Sequence, residues 1–440
     1  MRKILTAAFV VLAAQLAAVG AWSQPQGEVV ISRANIAPIV IAAPGFSGAG
    51  PHGTELAEII RNNLGRSGLF SPVDPLRYID KDVQFSTYPA FPNWKLVGSQ
   101  YLVTGQVSRG ASGLLTVDFR LWDVNAAQEV KGVGAHFEAA EESWRRIGHQ
   151  ISDKIYAQLT GEAGYFDTRI AFVSESGPKT AKRRVLTLMD QDGYNPQFLG
   201  GPDATAQIFT PRFSSSGQEV VYMALRDSGS QLYLFNLETS RTETLGRYEG
   251  MALGPRFSPD GSKVAFSVAR RGNADIFVAN VRAGGAPTQL TSDPNIDASP
   301  SFSPDGRQIV FNSDRAGSPQ LYIMGADGAG ARRLSSGSGR YTTPVWSPDP
   351  TDQWIAFTKQ TGATFHIGIM RPDGSDERLL TESYLDEGPS WAPNGRLLIF
   401  SRESPGSGPR LWTVDLTGRI IQPAAYSGPG SDPGWSPMLK

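Results

Sequence analysis

The side chains able to do acid–base, nucleophilic or metal chemistry are few and scattered along the 440 residues. Histidine occurs only at positions 52, 136, 149 and 366, and no two have the spacing of a metal pair. Cysteine is absent, which removes thiolate ligation, thiol catalysis and disulfides together. There is no Gly-x-Ser-x-Gly elbow for a serine nucleophile, no Gly-x-x-x-x-Gly-Lys-Ser/Thr phosphate loop and no His-Glu-x-x-His zinc motif. Asp190-Gln-Asp192-Gly193 and Pro372-Asp373-Gly374 could offer calcium ligands, but Asp-Gly is also the pair that tight turns between strands demand. We expect turns there, and no catalytic group, cofactor or metal.

What the chain has in place of a reactive centre is a repeat. Pro211-Arg-Phe-Ser-Ser-Ser-Gly217 returns with Pro255, Pro300, Pro344, Pro389 and Pro433 as its first residue, at steps of 44, 45, 44, 45 and 44. A strict period of this length marks stacked or radial units. Around Pro304-Asp305-Gly306 the proline presets φ and the glycine accepts a positive φ, so each phrase ends one strand in a turn. Short apolar runs follow in register, among them Val220-Val-Tyr222, Val264-Ala-Phe266, Ile309-Val-Phe311, Ile355-Ala-Phe357 and Leu398-Ile-Phe400. Four short strands per period give the blade of a β-propeller.

The two ends of the repeat region are complementary fragments. Arg169-Ile-Ala-Phe-Val173 and Val185-Leu-Thr-Leu-Met189 match the second and third strands of a blade that lacks a first. The first strand without a blade lies around Trp435, and only three residues follow Pro437. Pairing them completes a sixth blade and leaves no free sheet edge, whereas a linear solenoid would need capping repeats at both ends.

Residues 1–23 read as a signal peptide: Met1-Arg-Lys3 is basic, residues 4–21 are apolar, and Gly20, Ala21 and Ser23 supply small residues for cleavage. A net charge of -1, from 41 basic and 42 acidic residues, argues against a nucleic-acid footprint. Residues 36–163 form an α/β domain. In it Leu56, Ile59, Ile60 and Leu64 share a helical face behind a Thr54 cap. A second helix, from cap Ser143 to stop Gly161, aligns Trp144, Ile147, Ile151, Ile155 and Leu159 and puts His149 on its polar side. Pro38-Ile-Val-Ile-Ala42 is a core strand of this domain. Residues 24–35, with the strand-prone Glu28-Val-Val-Ile-Ser32, could be an edge strand, a tether, or a segment that docks on a partner by β-addition. The expected fold is thus an all-β six-bladed propeller over residues 164–440, closed by strand 433–437, with a smaller N-terminal α/β domain.

Function must then lie on the faces of the disc. The loops entering the first strands carry Asn295, Ile296, Asp297, Arg340, Tyr341, Thr342 and Tyr384-Leu-Asp-Glu387, a mixture suited to binding protein. The alternative for Asp297, Asp386 and Glu387 is a solvated or capping role. A carbohydrate-binding or lyase-type propeller is the competing class, and it calls for convergent polar groups in the axial channel.

Particular stretches carry a resemblance over essentially the whole chain. They are Arg145-Arg-Ile-Gly-His-Gln-Ile-Ser-Asp153, Leu159-Thr-Gly-Glu162, Phe166-Asp-Thr-Arg-Ile170, Phe119-Arg-Leu-Trp-Asp-Val124, Tyr384-Leu-Asp-Glu-Gly-Pro-Ser-Trp-Ala-Pro-Asn-Gly395 and the closing Trp435-Ser-Pro437. Taken together, and linked in the order helix domain, junction and six blades, they resemble the TolB family of the Tol-Pal cell-envelope system. The resemblance implies a periplasmic adaptor, peripheral to membranes, that supports outer-membrane integrity and constriction during division. It implies that the propeller face binds the lipoprotein Pal and that the N-terminal region communicates with TolA. The family's switch peptide maps onto residues 24–32. The residues expected to contact partners are therefore Glu28, Val30, Ile31, Asp297, Tyr341, Thr342, Asp386 and Glu387.

Overall fold

The computed structural model describes residues 37–440 apart from 49, 111, 179, 180 and 247. The expected signal peptide and the segment holding Glu28, Val30 and Ile31 lie outside the described residues. Seven strands build the first sheet: β1 (Ile39–Ala42), β2 (Ser47–Gly48), β3 (Phe70–Pro72), β4 (Tyr101–Arg109), β5 (Leu115–Asp123), β6 (Gln128–Glu129) and β7 (Ala135–Ala139). Their order is β3-β1-β4-β5-β6, with β2 on β4 and β7 on β5. β1 is parallel to both its neighbours, whereas β4 and β5 run antiparallel from Tyr101↔Asp123 to Arg109↔Leu115.

Alternation along β4 sorts the two sides of this sheet. Val103 joins the core under helices α1 (His52–Arg66) and α3 (Trp144–Thr160), packed by Leu56, Ile60, Leu64, Ile147, Ile151 and Ile155. Leu102 faces a second core with Trp122 and the short helix α2 (Phe91–Leu96), whose Phe91 and Trp94 are buried. α3 runs between the expected cap and stop, with Gly161 in the left-handed region at φ 74°. α1 begins two residues before Thr54: its N-cap is Pro51, which makes no side-chain cap bond, so Thr54 lies inside the helix. α2 went unpredicted because six residues are too few to show a period.

Six four-stranded sheets follow, each in simple order, and one of them, blade one, is closed in space by the first and last strands of the region. In blade one, Gly430–Trp435 pairs antiparallel with Arg169–Ser176, in register Gly430↔Ser174 and Trp435↔Ile170. Ser436 N donates to the Arg169 carbonyl at 2.9 Å, and Trp435 Nε1 donates to Thr168 Oγ1 at 2.9 Å. The first strands neighbour one another around a closed ring and so line the axis. Phe172, Phe266, Phe311, Phe357 and Phe400, one from each of five second strands, are fully buried.

Each inner strand is broken by a bulge at the same place, just before the phrase proline. The residue there has a positive φ in all six blades: Thr210, Gly254, Ser299, Thr343, Gly388 and Asp432, between 47° and 67°. Four are not glycine, so the ring holds a conformation that L-residues, above all before proline, resist.

Candidate protein-binding face

The two faces of the disc are used differently. On the side where the phrase turns lie, the α/β part rests on blades one and six. Arg396, beside the blade-six turn, meets Glu162 Oε2 at 2.7 Å, and Asn394 Nδ2 donates to the Ala163 carbonyl at 3.0 Å. Gln422 Nε2 donates to the Arg66 carbonyl at 2.7 Å. α3 meets the third-to-fourth strand turn of blade one: Arg145 Nη2 reaches Asp192 Oδ2 at 2.5 Å and stacks 3.7 Å from the Tyr194 ring.

His149 belongs to this junction and corrects the sequence reading, because it is buried at 2% exposure and does not lie on a polar face. Gln191 Nε2 donates to Asn63 Oδ1 at 2.8 Å, which orients that amide. Asn63 Nδ2 then faces His149 Nδ1 at 2.9 Å, leaving the proton on Nε2, 3.9 Å from Asp192. His149, Asp190 and Asp192 lie close enough together to reach one metal ion, a grouping that spacing along the chain concealed. Arg145 already supplies positive charge to both carboxylates, however, and burial holds His149 below its usual pKa. The turn expected at Asp190-Gln-Asp-Gly is present, with Gly193 N donating to the Asp190 carbonyl at 2.8 Å.

One motif was missed. Gly48, Gly50 and Gly53 spell Gly-x-Gly-x-x-Gly at the head of α1, a spacing known from dinucleotide turns. Here two of the three allow close packing: a Cβ on Gly48 would stand 2.0 Å from the Val107 carbonyl oxygen, and one on Gly53 2.2 Å from that of Phe46.

On the opposite face the mouth of the axial channel opens into a cavity of about 240 Å³ between blades one, two and six. Phe209 and Leu385 give it apolar walls, and Glu175, Glu387, Glu403 and Asp432 give it carboxylates. Burial pushes the Glu175 carboxyl up, but hydrogen bonds from Lys182 and Arg184 at 2.5 and 3.1 Å outweigh that and hold it below its usual range. Glu387 is open to solvent yet sunk in a concave wall, and burial, then Asp432 and Glu403, push its pKa up.

The other rim residues fall into two groups. Asp297, Tyr341 and Asp386 stand three residues before the phrase proline of blades four, five and six, and all are completely buried. Asp386 takes a two-pronged bond from Arg402, at 2.7 and 2.6 Å. Arg315 Nη2 spans both oxygens of Asp297 at 3.0 and 2.8 Å. Tyr341 OH donates to Glu377 Oε2 at 2.9 Å beside Lys359, which meets Glu377 at 2.6 Å. None of these three can itself touch a partner; they fix Arg315, Lys359 and Arg402. The corresponding positions in blades two and three are the buried Ile208 and Ala252, so the period, followed one step further, would have placed them inside. Thr342 is half-buried in the ladder opposite Thr358. Ile296 and Tyr384 are exposed at 44% and 57% and give this face apolar relief.

Two family models match in chain order. The model described as "TolB amino-terminal domain" matches residues 27–130, and "TolB beta propeller domain" matches residues 156–439. Among solved structures, TolB from Acinetobacter baumannii is 27% identical, covers 91% of this chain and 97% of its own, and superposes with a TM-score of 0.81. Kuenenia stuttgartiensis hydrazine synthase is similar over 62% of this chain and 47% of its own, at 14% identity and TM-score 0.52. A chain of the Nidogen/Laminin complex covers 62% of this chain and 100% of its own, at 10% identity and TM-score 0.50. The last two likenesses concern fold alone.

Proposed function

The chain belongs to the TolB family of periplasmic proteins, which join an amino-terminal domain to a propeller, and from that premise we propose a non-enzymatic adaptor between envelope proteins. Its propeller binds the peptidoglycan-associated lipoprotein Pal, and its N-terminal region binds TolA. The observation that carries this reading is the asymmetry of the disc: blades one and six hold the α/β part on one face, and the channel-mouth cavity opens on the other. That separation leaves room for a second protein without displacing the first domain. Glu387, Phe209 and the fixed guanidinium groups of Arg315 and Arg402 are the residues offered to Pal. Residues 24–32, with Glu28, Val30 and Ile31, act as the coupled switch segment.

Binding of the soluble Pal domain, followed by calorimetry, tests the reading. Reversing two charges in Glu387→Lys/Glu403→Lys should weaken binding by at least tenfold and leave the melting temperature within a few degrees, since rim charges contribute little to folding. Unchanged affinity removes the cavity from the interface. The same titration on a chain beginning at Ala34 reports coupling; a shift of roughly 1–3 kcal/mol is the size expected of linked sites.

A further inference from the structure

Helices α1 and α3 and the third-to-fourth strand turn of blade one meet at His149, and the side chains around it accept only one of its charge states. Asn63 is held from three sides. Gln191 donates to its Oδ1 at 2.8 Å, and its own amide hydrogens go to His149 Nδ1 at 2.9 Å and Ser152 Oγ at 3.0 Å. Ser152 cannot return that bond, because its hydroxyl donates to the Gly148 carbonyl at 2.7 Å. Asn63, His149, Ser152 and Gln191 are all buried, so bulk water replaces none of these partners. The amide therefore dictates the imidazole: Nδ1 is bare and Nε2 carries the proton.

A second proton would have to sit on Nδ1, pointing at an N–H donor. Accepting it requires the Asn63 amide to turn over, which sets its nitrogen against Gln191 Nε2 and obliges Gln191 to turn as well. Side chains on α3, α1 and blade one must rearrange together. The neighbouring carboxylates are already engaged. Asp192 lies 3.9 Å from His149 Nε2 but takes Arg145 Nη2 at 2.5 Å, and Asp190 stands between Arg145 and Arg169 at 3.8 and 4.0 Å. Arg146 of α3 holds Asp167 at 2.9 Å, and Arg66 of α1 also acts on Asp192. Two buried donors, His149 Nε2 and Arg145 Nε, find no hydrogen-bond acceptor here. Burial, with Arg145 and Arg146, lowers the pKa of His149 against the pull of Asp192 and Asp167.

We propose that this contact is an acid-released latch between the α/β part and the closing blade: the docked form admits one proton on His149, and parting of the surfaces admits the second. Above the usual histidine value near 6.5 the latch holds in full. As pH falls below it, the parted form gains a proton that the docked form refuses, and the balance shifts by up to about tenfold per pH unit. Asp153 and Asp190, raised by burial to about 7 and about 6, titrate in the opposite sense at the same junction. The histidine is therefore read by difference.

Hydrogen exchange of the full chain, between about pH 7.5 and pH 5.5 and corrected for the intrinsic rate, is the first test. It is followed at the amides of α3 and at those of Gln191 and Gly193, which donate to the Thr168 and Asp190 carbonyls. His149→Gln can still accept from Asn63 through its side-chain oxygen but does not titrate. Across this range the natural chain should lose roughly 3–10-fold more protection than that variant. An equal response in the two overturns the proposal. Because the glutamine variant could fail to fold, NMR of the imidazole nitrogens in the unaltered chain provides a second measure. A proton on Nε2 alone at neutral pH and a titration midpoint below about 6.5 support the latch. A proton on Nδ1 at neutral pH, or a midpoint at or above that value, refutes it.

Discussion

Removing the Asp386 carboxylate would strand the Arg402 guanidinium over Phe400 and Trp412 without its counter-charge. Breaking a buried pair from one side costs about 3–5 kcal/mol. Asp386→Ala should therefore lower the denaturant midpoint substantially, whereas a residue acting only by surface contact would change stability by less than about 0.5 kcal/mol. Equilibrium urea unfolding distinguishes the two. Asp153 gives a different signal. Its oxygens accept the N–H groups of Phe166 and Asp167 at 2.7 and 2.9 Å, and burial raises its pKa to about 7. A carboxyl raised in the folded state holds its proton more tightly there than when unfolded. Its contribution to stability is complete below its usual value near 3.8 and is lost as pH rises through about 7. The melting temperature of the natural chain relative to Asp153→Asn should thus fall between pH 4 and pH 8; a flat difference would show that the carboxyl does not titrate there.

Among the elements, periodic ones were legible and aperiodic ones were not. The strands of the repeats, α3 from Ser143 to Gly161, and the pairing of the ends could be read because burial imposes spacing. Thr54 was misplaced because a Ser/Thr cap is only one way to begin a helix, and α1 starts from Pro51. His149 misled because its own helix does not reveal what packs on top: blade one, more than thirty residues away in sequence, supplies the cover. Asp297 and Asp386 looked like rim charges because their arginines come 18 and 16 residues later, Arg315 in the turn just past the adjoining strand and Arg402 on it. At this scale the ring makes one firm prediction. Ending the chain before Gly430 deletes the first strand of blade one, exposes the edge of Arg169–Ser176 and uncovers the core contributed by Trp435. Loss of that tryptophan's packing alone is worth about 3–5 kcal/mol, so the truncated chain should melt far below the full one, with greater protease sensitivity at blade one. Equal melting temperatures would mean that the ring is held without its closing strand.

At the scale of the whole molecule, residues 38–440 behave as one compact unit, and the core is continuous across its two parts. Ile147 and Ile151 of α3 belong to the same buried cluster as Phe172, Met189 and Trp435 of blade one. The α/β part is therefore built onto the propeller at the blade where the ring closes. A signal arriving at the amino-terminal part would meet the closing blade first, and the cavity on the far face is walled in part by that blade through Glu175 and Asp432. Among the described residues no helix is long and apolar enough to cross a membrane.

The pairing of Gly430 with Ser174 also orders events in time. A chain made from its amino terminus produces the second, third and fourth strands of blade one early and the first strand last. Until then five complete blades must wait beside one that lacks its inner edge, and joining the ends carries the loop-closure entropy of nearly the whole propeller. Such distant pairing is slow compared with the formation of local hairpins. Ring closure should accordingly be the late, rate-limiting phase of refolding, visible as delayed burial of Trp435 after most β structure has formed. The open arc that precedes it, with the edge of Arg169–Ser176 and the strand Gly430–Trp435 both unpaired, is the species that a folding helper in the same compartment would need to shield.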